Sequence, residues 1–413
     1  MRRSSLVAAA LLTAACELPG LELPVDNGHT CKKIGLTVRD DSLLPGWTVH
    51  ALVVERDDGD TGWALATDPD GRLMLQPWPA GTGHDLSGAG EPDDFRLVPG
   101  ALDGQAWLLL DRLDQAQVWR LDHAPSGALL AGPPLPSFPA PGLWSRRLVF
   151  LGSQPFLLSV PRRAQEGVLT LQVSPLDATL APGLPTPIEF WRSPCLDNVG
   201  CPSPPPGEMN FEALHTTEAG SSGTSATLIA SYTPQQAEIA IHYTVVASVL
   251  LFITGNGELP GGSRREHTHW STDHDVRVAP GQIAADAGGL YVLTGIVPTA
   301  DDANDQLLRA SESPEGSDTD LINTVDKRRA SQLLQVGDSV VLGQRSGNAW
   351  CIAPIDPGGP GDPPRVVTEI LGCLPLDPGA ELFAAGHGQF LVRSEAGARR
   401  VAVGCEPEEP ESE

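Results

Sequence analysis

The segment Glu266–Asp275 (EHTHWSTDHD) contains the best candidates for chemistry in this sequence. His267 and His269 are two positions apart, so on a β-strand they would share a face, with His274 close by in sequence. Neutral imidazole is a good zinc ligand, and three imidazoles with a carboxylate could hold a metal. The spacing matches no established zinc motif, so a polar connection between strands is favoured and no metal or cofactor is predicted.

Aspartates cluster at Asp57–Asp60 (DDGD), Asp68–Gly71 (DPDG) and Asp318–Asp320 (DTD). A calcium loop needs six to eight oxygen ligands, often including a glutamate at a fixed offset, and none of the three completes that pattern. Asp-Gly between apolar runs is typical of a tight hairpin turn. Turns are therefore predicted at the first two clusters.

No motif for covalent or phosphate chemistry is present. Gly220–Gly223 (GSSG) lacks the G-x-S-x-G spacing that exposes a nucleophilic serine. The sequence also has neither H-E-x-x-H nor a phosphate-binding loop. No catalytic residue is predicted, and a binding module is favoured over an enzyme.

Composition restricts the fold and the partners. Glycine (44) and proline (39) make up a fifth of the 413 residues, which favours short strands over long helices. The balance of 27 basic to 52 acidic residues gives a net charge of −25. A chain this acidic repels phosphate backbones, so nucleic acid is excluded as a main partner.

The segment Phe95–Pro136 contains four short apolar runs separated by turn residues, as expected for one blade of a β-propeller. Similar units recur along the chain. The first apolar residue of the second strand in each unit falls at Trp63, Trp107, Phe156, Leu228, Tyr291, Val340 and Phe390. We predict an all-β chain with a single propeller of about seven blades, six or eight being possible. Two β-sandwich domains are the alternative.

Two stretches do not fit the repeat. The apolar run Ile239–Thr254 is too long for one blade strand at about 3.3 Å per residue, so it is interpreted as two strands that break near Ala247 and Ser248. The polar segment Thr299–Arg329 allows no assignment of strands.

The first sixteen residues form a targeting signal. Arg2 and Arg3 give a positive start, Leu6–Leu12 form a short apolar segment, and the small residues Thr13–Ala15 precede Cys16. This arrangement resembles the lipobox of bacterial lipoproteins. The resemblance implies cleavage before Cys16 and lipidation of that cysteine, with an ordinary secretory signal as the alternative.

The chain is therefore divided into a signal peptide (1–15), a lipidated tether (16–30), a β-propeller-like domain (31–405) and an acidic tail (406–413) that is expected to be disordered. We expect an exported protein of the bacterial cell envelope, anchored in the bilayer by lipid, on the periplasmic face or the cell surface. Its expected role is to bind an envelope protein or glycan through propeller loops. The alternative is an envelope enzyme with a site at the channel mouth, possibly metal-dependent.

Six cysteines remain after Cys16, an even number that suggests three disulfides in an exported chain. Cys195–Cys201 would close a proline-rich insertion. Cys351–Cys373 would join a third strand to a fourth strand predicted at Val366–Leu371. Cys31–Cys405 would close the ring, if the first strand (Ile34–Arg39) pairs antiparallel with the last one (Arg400–Val403).

Overall fold

A computed structural model describes the backbone in segments between residues 34 and 405, and side chains in segments of 36–189 and 333–403. The described backbone forms 31 β-strands in seven sheets and one short 3-10 helix, Pro92–Asp94. Within these residues, no helix is long and apolar enough to cross a membrane.

The first three blades are antiparallel sheets of four strands each, numbered from the inside of the ring outwards. Blade 1 consists of β2 (Thr48–Val54), β3 (Gly62–Thr67), β4 (Leu73–Trp78) and β5 (His84–Asp85). Blade 2 consists of β6 (Phe95–Pro99), β7 (Gln105–Asp111), β8 (Ala116–Asp122) and β9 (Ala128–Ala131). Blade 3 consists of β10 (Trp144–Leu151), β11 (Gln154–Pro161), β13 (Val168–Pro175) and β14 (Thr186–Arg192).

The next three blades carry additional short strands. Blade 4 consists of β15 (Gly207–Glu218), β16 (Gly223–Pro234), β17 (His242–Phe252) and β18 (Gly262–Thr272), with β12 (Arg163–Ala164) paired to β15. Blade 5 consists of β19 (Val276–Arg277), β20 (Ile283–Asp286), β21 (Gly289–Ile296), β22 (Asp305–Ala310) and β23 (Thr319–Val325). Blade 6 consists of β24 (Ser331–Val336), β25 (Ser339–Ser346), β26 (Ala349–Asp356), β27 (Arg365–Val366) and β28 (Gly372–Pro375).

Blade 7 combines both ends of the described chain. It contains β29 (Glu381–Gly386), β30 (Gln389–Ser394), β31 (Gly397–Cys405) and, as its outermost strand, β1 (Ile34–Asp40). β1 pairs antiparallel with β31, with Leu36 opposite Val403. The predicted pairing of the first and last strands is therefore confirmed.

The seven sheets form a closed ring. Each sheet contacts the next one, through β2 with β6, β7 with β10, β10 with β15, β15 with β20, β20 with β24, β24 with β31 and β29 with β2. The predicted propeller is confirmed, with seven blades. The seven marker residues all lie in the second strand of a blade, as expected.

The hydrophobic core lies between the blades. In β7, Trp107 packs in a cluster shared with blade 3, and its neighbour Leu108 packs in a cluster shared with blade 1. Because successive side chains of a strand lie on opposite faces of the sheet, a strand covered on both faces is apolar without alternation. This explains why the second strands read as continuous apolar runs.

The strand count gives the ring two distinct faces. Each blade has four strand positions, so the chain enters and leaves every blade on the same side, which we call the loop face. The inner strands end on the opposite side. β1 begins there and β31 ends there, so we call it the terminal face.

Two sequence interpretations need correction. Ile239–Thr254 contains one strand, β17, which is long because it pairs with the equally long strands β16 and β18; the strands β15 to β18 have 11 or 12 residues each. A register shift between Val246 and Ala247 marks the position where a break was expected. The segment Thr299–Arg329, to which no strand was assigned, contains β22 and β23.

Candidate functional site

A group of polar side chains lies on the loop face where blades 7, 1 and 2 meet. We call it the loop-face cluster, and its members are His50, Thr67, Asp93, Glu381 and Arg393. His50 lies near the start of β2, and its Nε2 is 2.8 Å from the hydroxyl oxygen of Thr67 at the end of β3. Short strands and tight turns bring these residues to one surface although they are far apart in sequence.

Arg393 is the cation of this cluster. Its Nε donates a hydrogen bond of 3.1 Å to Glu381 Oε2, and its Nη2 contacts the same oxygen. The guanidinium also lies 4.6 Å from the centre of the Phe383 ring. Both charged side chains are partly exposed, at 31% for the arginine and 59% for the glutamate, so the pair contributes little to stability and remains accessible to a ligand.

His50 is held in its neutral form. Burial lowers the pKa of this imidazole, and the positive charge of Arg393 lowers it further, while Asp93 has the opposite, smaller effect. Because the ordinary value is about 6.5, the lowered pKa leaves His50 uncharged at pH 7. The ring can therefore accept a proton or a hydrogen bond from a ligand.

Arginines fix the connections of the loop face. Arg112 Nη1 donates to the carbonyl of Ala89 at 2.9 Å, and Arg345 Nη1 donates to that of Ala380 at 3.0 Å. Ala89 precedes the inner strand of blade 2 and Ala380 precedes that of blade 7. These bonds give the surface a defined backbone, as a binding face requires.

The Asp68–Gly71 cluster is a turn, as predicted. One carboxylate oxygen of Asp68 accepts hydrogen bonds from the backbone amides of Asp70 and Arg72, both at 2.9 Å. The other accepts one from Arg72 Nε at 2.8 Å. Gly71 has φ +82°, the left-handed conformation that favours glycine. The hydrogen bond from the Arg72 amide is the main cause of the lowered pKa of Asp68. Asp57–Asp60 lies outside the described residues.

The histidine-rich segment is mostly a strand, so its interpretation as a connection is wrong for His267 and His269. Both lie in β18, the outermost strand of blade 4. The register pairs Glu266 with Ala247 and Thr268 with Val246, so His267 is the extra residue of a bulge. His274 lies outside the described residues. Where side chains are described, no group of three or more histidines, cysteines or acids could hold a metal.

The cysteines are only partly within the described chain. Cys351 lies opposite Cys373 in β26 and β28, and their sulfurs are joined at 2.08 Å. The strand that carries Cys373 is β28 (Gly372–Pro375). The range predicted for this strand, Val366–Leu371, was therefore placed too early in the sequence. Cys405 lies opposite Ile34. The remaining predicted site residues lie outside the described residues: Cys16, Cys31, Cys195 and Cys201.

The sequence did not reveal the buried charges. Asp111 at the end of β7 and Arg146 in β10 form an ion pair between blades 2 and 3, with side chains 8% and 6% exposed. Glu55 is also buried, and it accepts a 2.7 Å hydrogen bond from Trp63 Nε1. The sequence could have indicated these buried charges, because each of them is a charged residue within or just after an apolar strand.

No family model and no curated protein matches the chain. Solved structures similar to it include the Penicillium chrysogenum alpha-L-arabinanase complexed with arabinobiose (10% identity, 86% of this chain and 98% of that chain covered, TM-score 0.38). Others are the polysaccharide lyase Uly1 (10%, 88% and 90%, 0.44) and the Pseudomonas aeruginosa periplasmic gluconolactonase PpgL (11%, 80% and 98%, 0.31). At such low identity, these likenesses carry no argument about chemistry.

Proposed function

We propose that this protein is a lipid-anchored protein of the bacterial envelope that binds a partner through the loop face of its propeller. One observation carries the proposal: β1 begins at Ile34 on the terminal face. Cys16, the lipobox-like cysteine, lies 18 residues earlier in the sequence, a length that spans at most about 60 Å. The anchor would therefore leave from the terminal face, and the loop face would be directed away from the membrane.

The loop-face cluster suits the recognition of a polar partner. It combines a carboxylate, a guanidinium that lies over the Phe383 ring, a neutral imidazole and a hydroxyl. Connections that are already fixed by hydrogen bonds lose little entropy on binding. The partner we propose is an envelope protein or an envelope glycan, recognised mainly through Glu381 and Arg393.

The anchor and the binding face can be tested separately. Cys16→Ser should move the protein from the membrane fraction to the soluble exported fraction, and mass spectrometry should find lipid on Cys16 of the parent only. Cross-linking in intact cells should give one dominant adduct that is lost in the pair Glu381→Ala and Arg393→Ala. Asp122→Ala, at the terminal-face end of β8, is the control and should keep the adduct. Adducts that survive the paired substitution would contradict the proposed binding face.

A second candidate function is hydrolysis on the same surface, and one contact favours it. A neutral His50 lies at 2.8 Å from the Thr67 hydroxyl, the arrangement of a general base beside a nucleophile. Hydrolysis of activated esters by the purified protein, lost in His50→Gln and in Thr67→Val, would support it. Equal rates in parent and variants would exclude this pair as the site.

A further inference from the structure

A tryptophan lies beside the loop-face cluster. Trp47 is the last residue before β2, the inner strand of blade 1 that also carries His50. Its indole packs against the apolar cluster between blades 7 and 1, as does Phe383, whose ring lies beneath the guanidinium of Arg393. The indole is half-buried, and because β2 begins on the loop face, its exposed part lies on that face.

A tight turn holds Trp47 in place. Its amide donates a 3.0 Å hydrogen bond to the carbonyl of Leu44, which closes a four-residue turn with a proline and Gly46 at its centre. Gly46 has φ +81°, and proline followed by glycine in this conformation is typical of a type II turn. The amide of Leu43 donates a 2.8 Å bond to the carbonyl of Ala398, so the turn is fixed to blade 7.

Two irregularities of the backbone flank Trp47, three residues before it and three residues after it. Leu44 has φ +52°, a left-handed conformation that leucine rarely adopts. β2 has a bulge at His50, because the residues on either side of this histidine pair with consecutive residues of β3. Bulges turn a side chain into a new direction, and strained backbone is concentrated at functional sites. This favours a functional site at Trp47 and His50 over an ordinary connection.

The charged pair of the cluster presents a donor and an acceptor side by side. Glu381 contacts Arg393 through Oε2, and the arginine uses Nε and Nη2, which leaves Oε1 and Nη1 without a hydrogen-bond partner among the described residues. A hydroxyl group both donates and accepts a hydrogen bond. Two adjacent hydroxyl groups of a sugar can therefore bind the pair, one as donor to the carboxylate and the other as acceptor from the guanidinium.

The charges of the cluster favour a neutral sugar. Arg393 is the cation, whereas Glu381 and Asp93 are both carboxylates, and the whole chain has a net charge of −25. An acidic sugar would meet this negative field and would be repelled. A neutral sugar keeps the hydrogen bonds without that cost.

The apolar surface around the cluster is too small for a protein partner. Protein interfaces are centred on apolar and aromatic anchors that become fully buried. Among the large hydrophobic side chains that are described, the exposed ones are Val38, Leu130 and Leu184. The first two lie in the outermost strands β1 and β9, and Leu184 lies in the connection from β13 to β14 on the terminal face. None of the three extends the cluster into an apolar patch.

We infer that Trp47 and the loop-face cluster form a glycan-binding site, in which a neutral sugar ring stacks on the indole and two of its adjacent hydroxyl groups bind Glu381 and Arg393. A sugar ring has C–H groups on its faces and hydroxyl groups at its edge, so it matches an aromatic surface with polar groups beside it. The inference rests on the proposed function, because it names the class of partner for the same face.

Titration calorimetry of the purified protein with oligosaccharides tests the site. The neutral probes are the hexaoses of cellulose, xylan, mannan, starch and chitin, and hexagalacturonate is the acidic probe. At least one neutral probe should bind with a Kd below about 1 mM, and hexagalacturonate should bind at least about 10-fold more weakly than that probe. Failure of every neutral probe to bind, or tighter binding of hexagalacturonate, would overturn the inference.

Substitutions at Trp47 separate stacking from packing. Trp47→Leu keeps an apolar side chain against the interblade cluster but removes the flat ring, so it should weaken binding of the neutral probe by at least about 10-fold. Trp47→Phe retains an aromatic face and should stay within about threefold. Phe150→Ala, which removes a half-buried aromatic at the terminal-face end of β10, is the control and should bind like the parent. Equal affinities of Trp47→Leu and the parent would overturn the inference.

Cross-linking in cells distinguishes this inference from the proposed function. If the loop face captures a protein, and Trp47→Leu still captures it, the glycan inference falls and the proposed binding face stands. If a neutral oligosaccharide binds the purified protein through Trp47 but cells give no adduct, the envelope role falls and the glycan site stands.

Discussion

Removing the carboxylate of Asp111 tests how the blades are held together. Asp111 Oδ1 accepts a 3.0 Å hydrogen bond from Arg146 Nη1, and its Oδ2 accepts a 2.8 Å bond from the backbone amide of Arg146. Both side chains are more than nine-tenths buried, so Asp111→Ala leaves a guanidinium in a poorly hydrated place without this anion. Loss of one partner from a buried pair costs about 3–5 kcal/mol.

This cost should be visible in thermal unfolding. With an unfolding entropy of about 2.1 cal/mol/K per residue, a loss of this size lowers the melting temperature of a ring this large by about 4–6 °C. Asp122→Ala is the matched control, because Arg120 Nε also lies 3.0 Å from Asp122 but the side chains are 32% and 40% exposed. An exposed pair contributes at most about 1 kcal/mol, so the control should melt within about 1 °C of the parent.

A double substitution separates the charge from the packing. Asp111→Leu with Arg146→Met replaces the buried pair by apolar side chains, and it should recover most of the loss. Recovery should be incomplete because the amide of Arg146 loses its acceptor. Equal melting of Asp111→Ala and Asp122→Ala, or a double variant as unstable as the sum of its single variants, would refute the reasoning.

Three other predictions concern stability. Gly343→Ala should cost about 1–3 kcal/mol in urea unfolding, because its Cβ would lie 2.6 Å from a ring carbon of Trp350, whereas Gly88→Ala meets nothing within 4 Å and should be neutral. Asp68→Ala should lower the melting temperature at pH 7. Because the pKa of this carboxyl is lower in the folded state, its ionised form stabilises the fold above about pH 3.9. The difference in melting temperature between Asp68→Ala and the parent should therefore disappear as the pH falls below that value. Reduction of the Cys351–Cys373 bond, which spans 22 residues, should cost about 3 kcal/mol, and an unchanged unfolding midpoint would contradict this.

The repeat could be predicted because each second strand is covered by a blade on both sides. Such strands must be apolar throughout, and runs like Trp107–Leu110 are therefore visible in the sequence. Closure could be predicted because Ile34–Arg39 was a strand without a blade and the last unit lacked one strand. Both inferences depend on local pattern and on the need to pair every strand.

Strand length and the polar sites could not be predicted in this way. The length of β17 depends on its pairing with β16 and β18, which the apolar run alone does not encode. The loop-face cluster brings His50 and Arg393 together from opposite ends of the chain, through ring closure. No spacing rule connects residues whose proximity arises from the seventh blade meeting the first.

The distribution of charge over the two faces links the fold to the proposed orientation. Among the arginines with described side chains, all but Arg120 lie in the loop-face half of a strand or in a loop-face connection. Most of these arginines form hydrogen bonds or ion pairs with carboxylates or carbonyls of that face, and Arg120 is itself paired with Asp122. Among the described side chains, the loop face therefore carries most of the guanidinium groups, and this is the face that the proposed orientation directs away from the membrane.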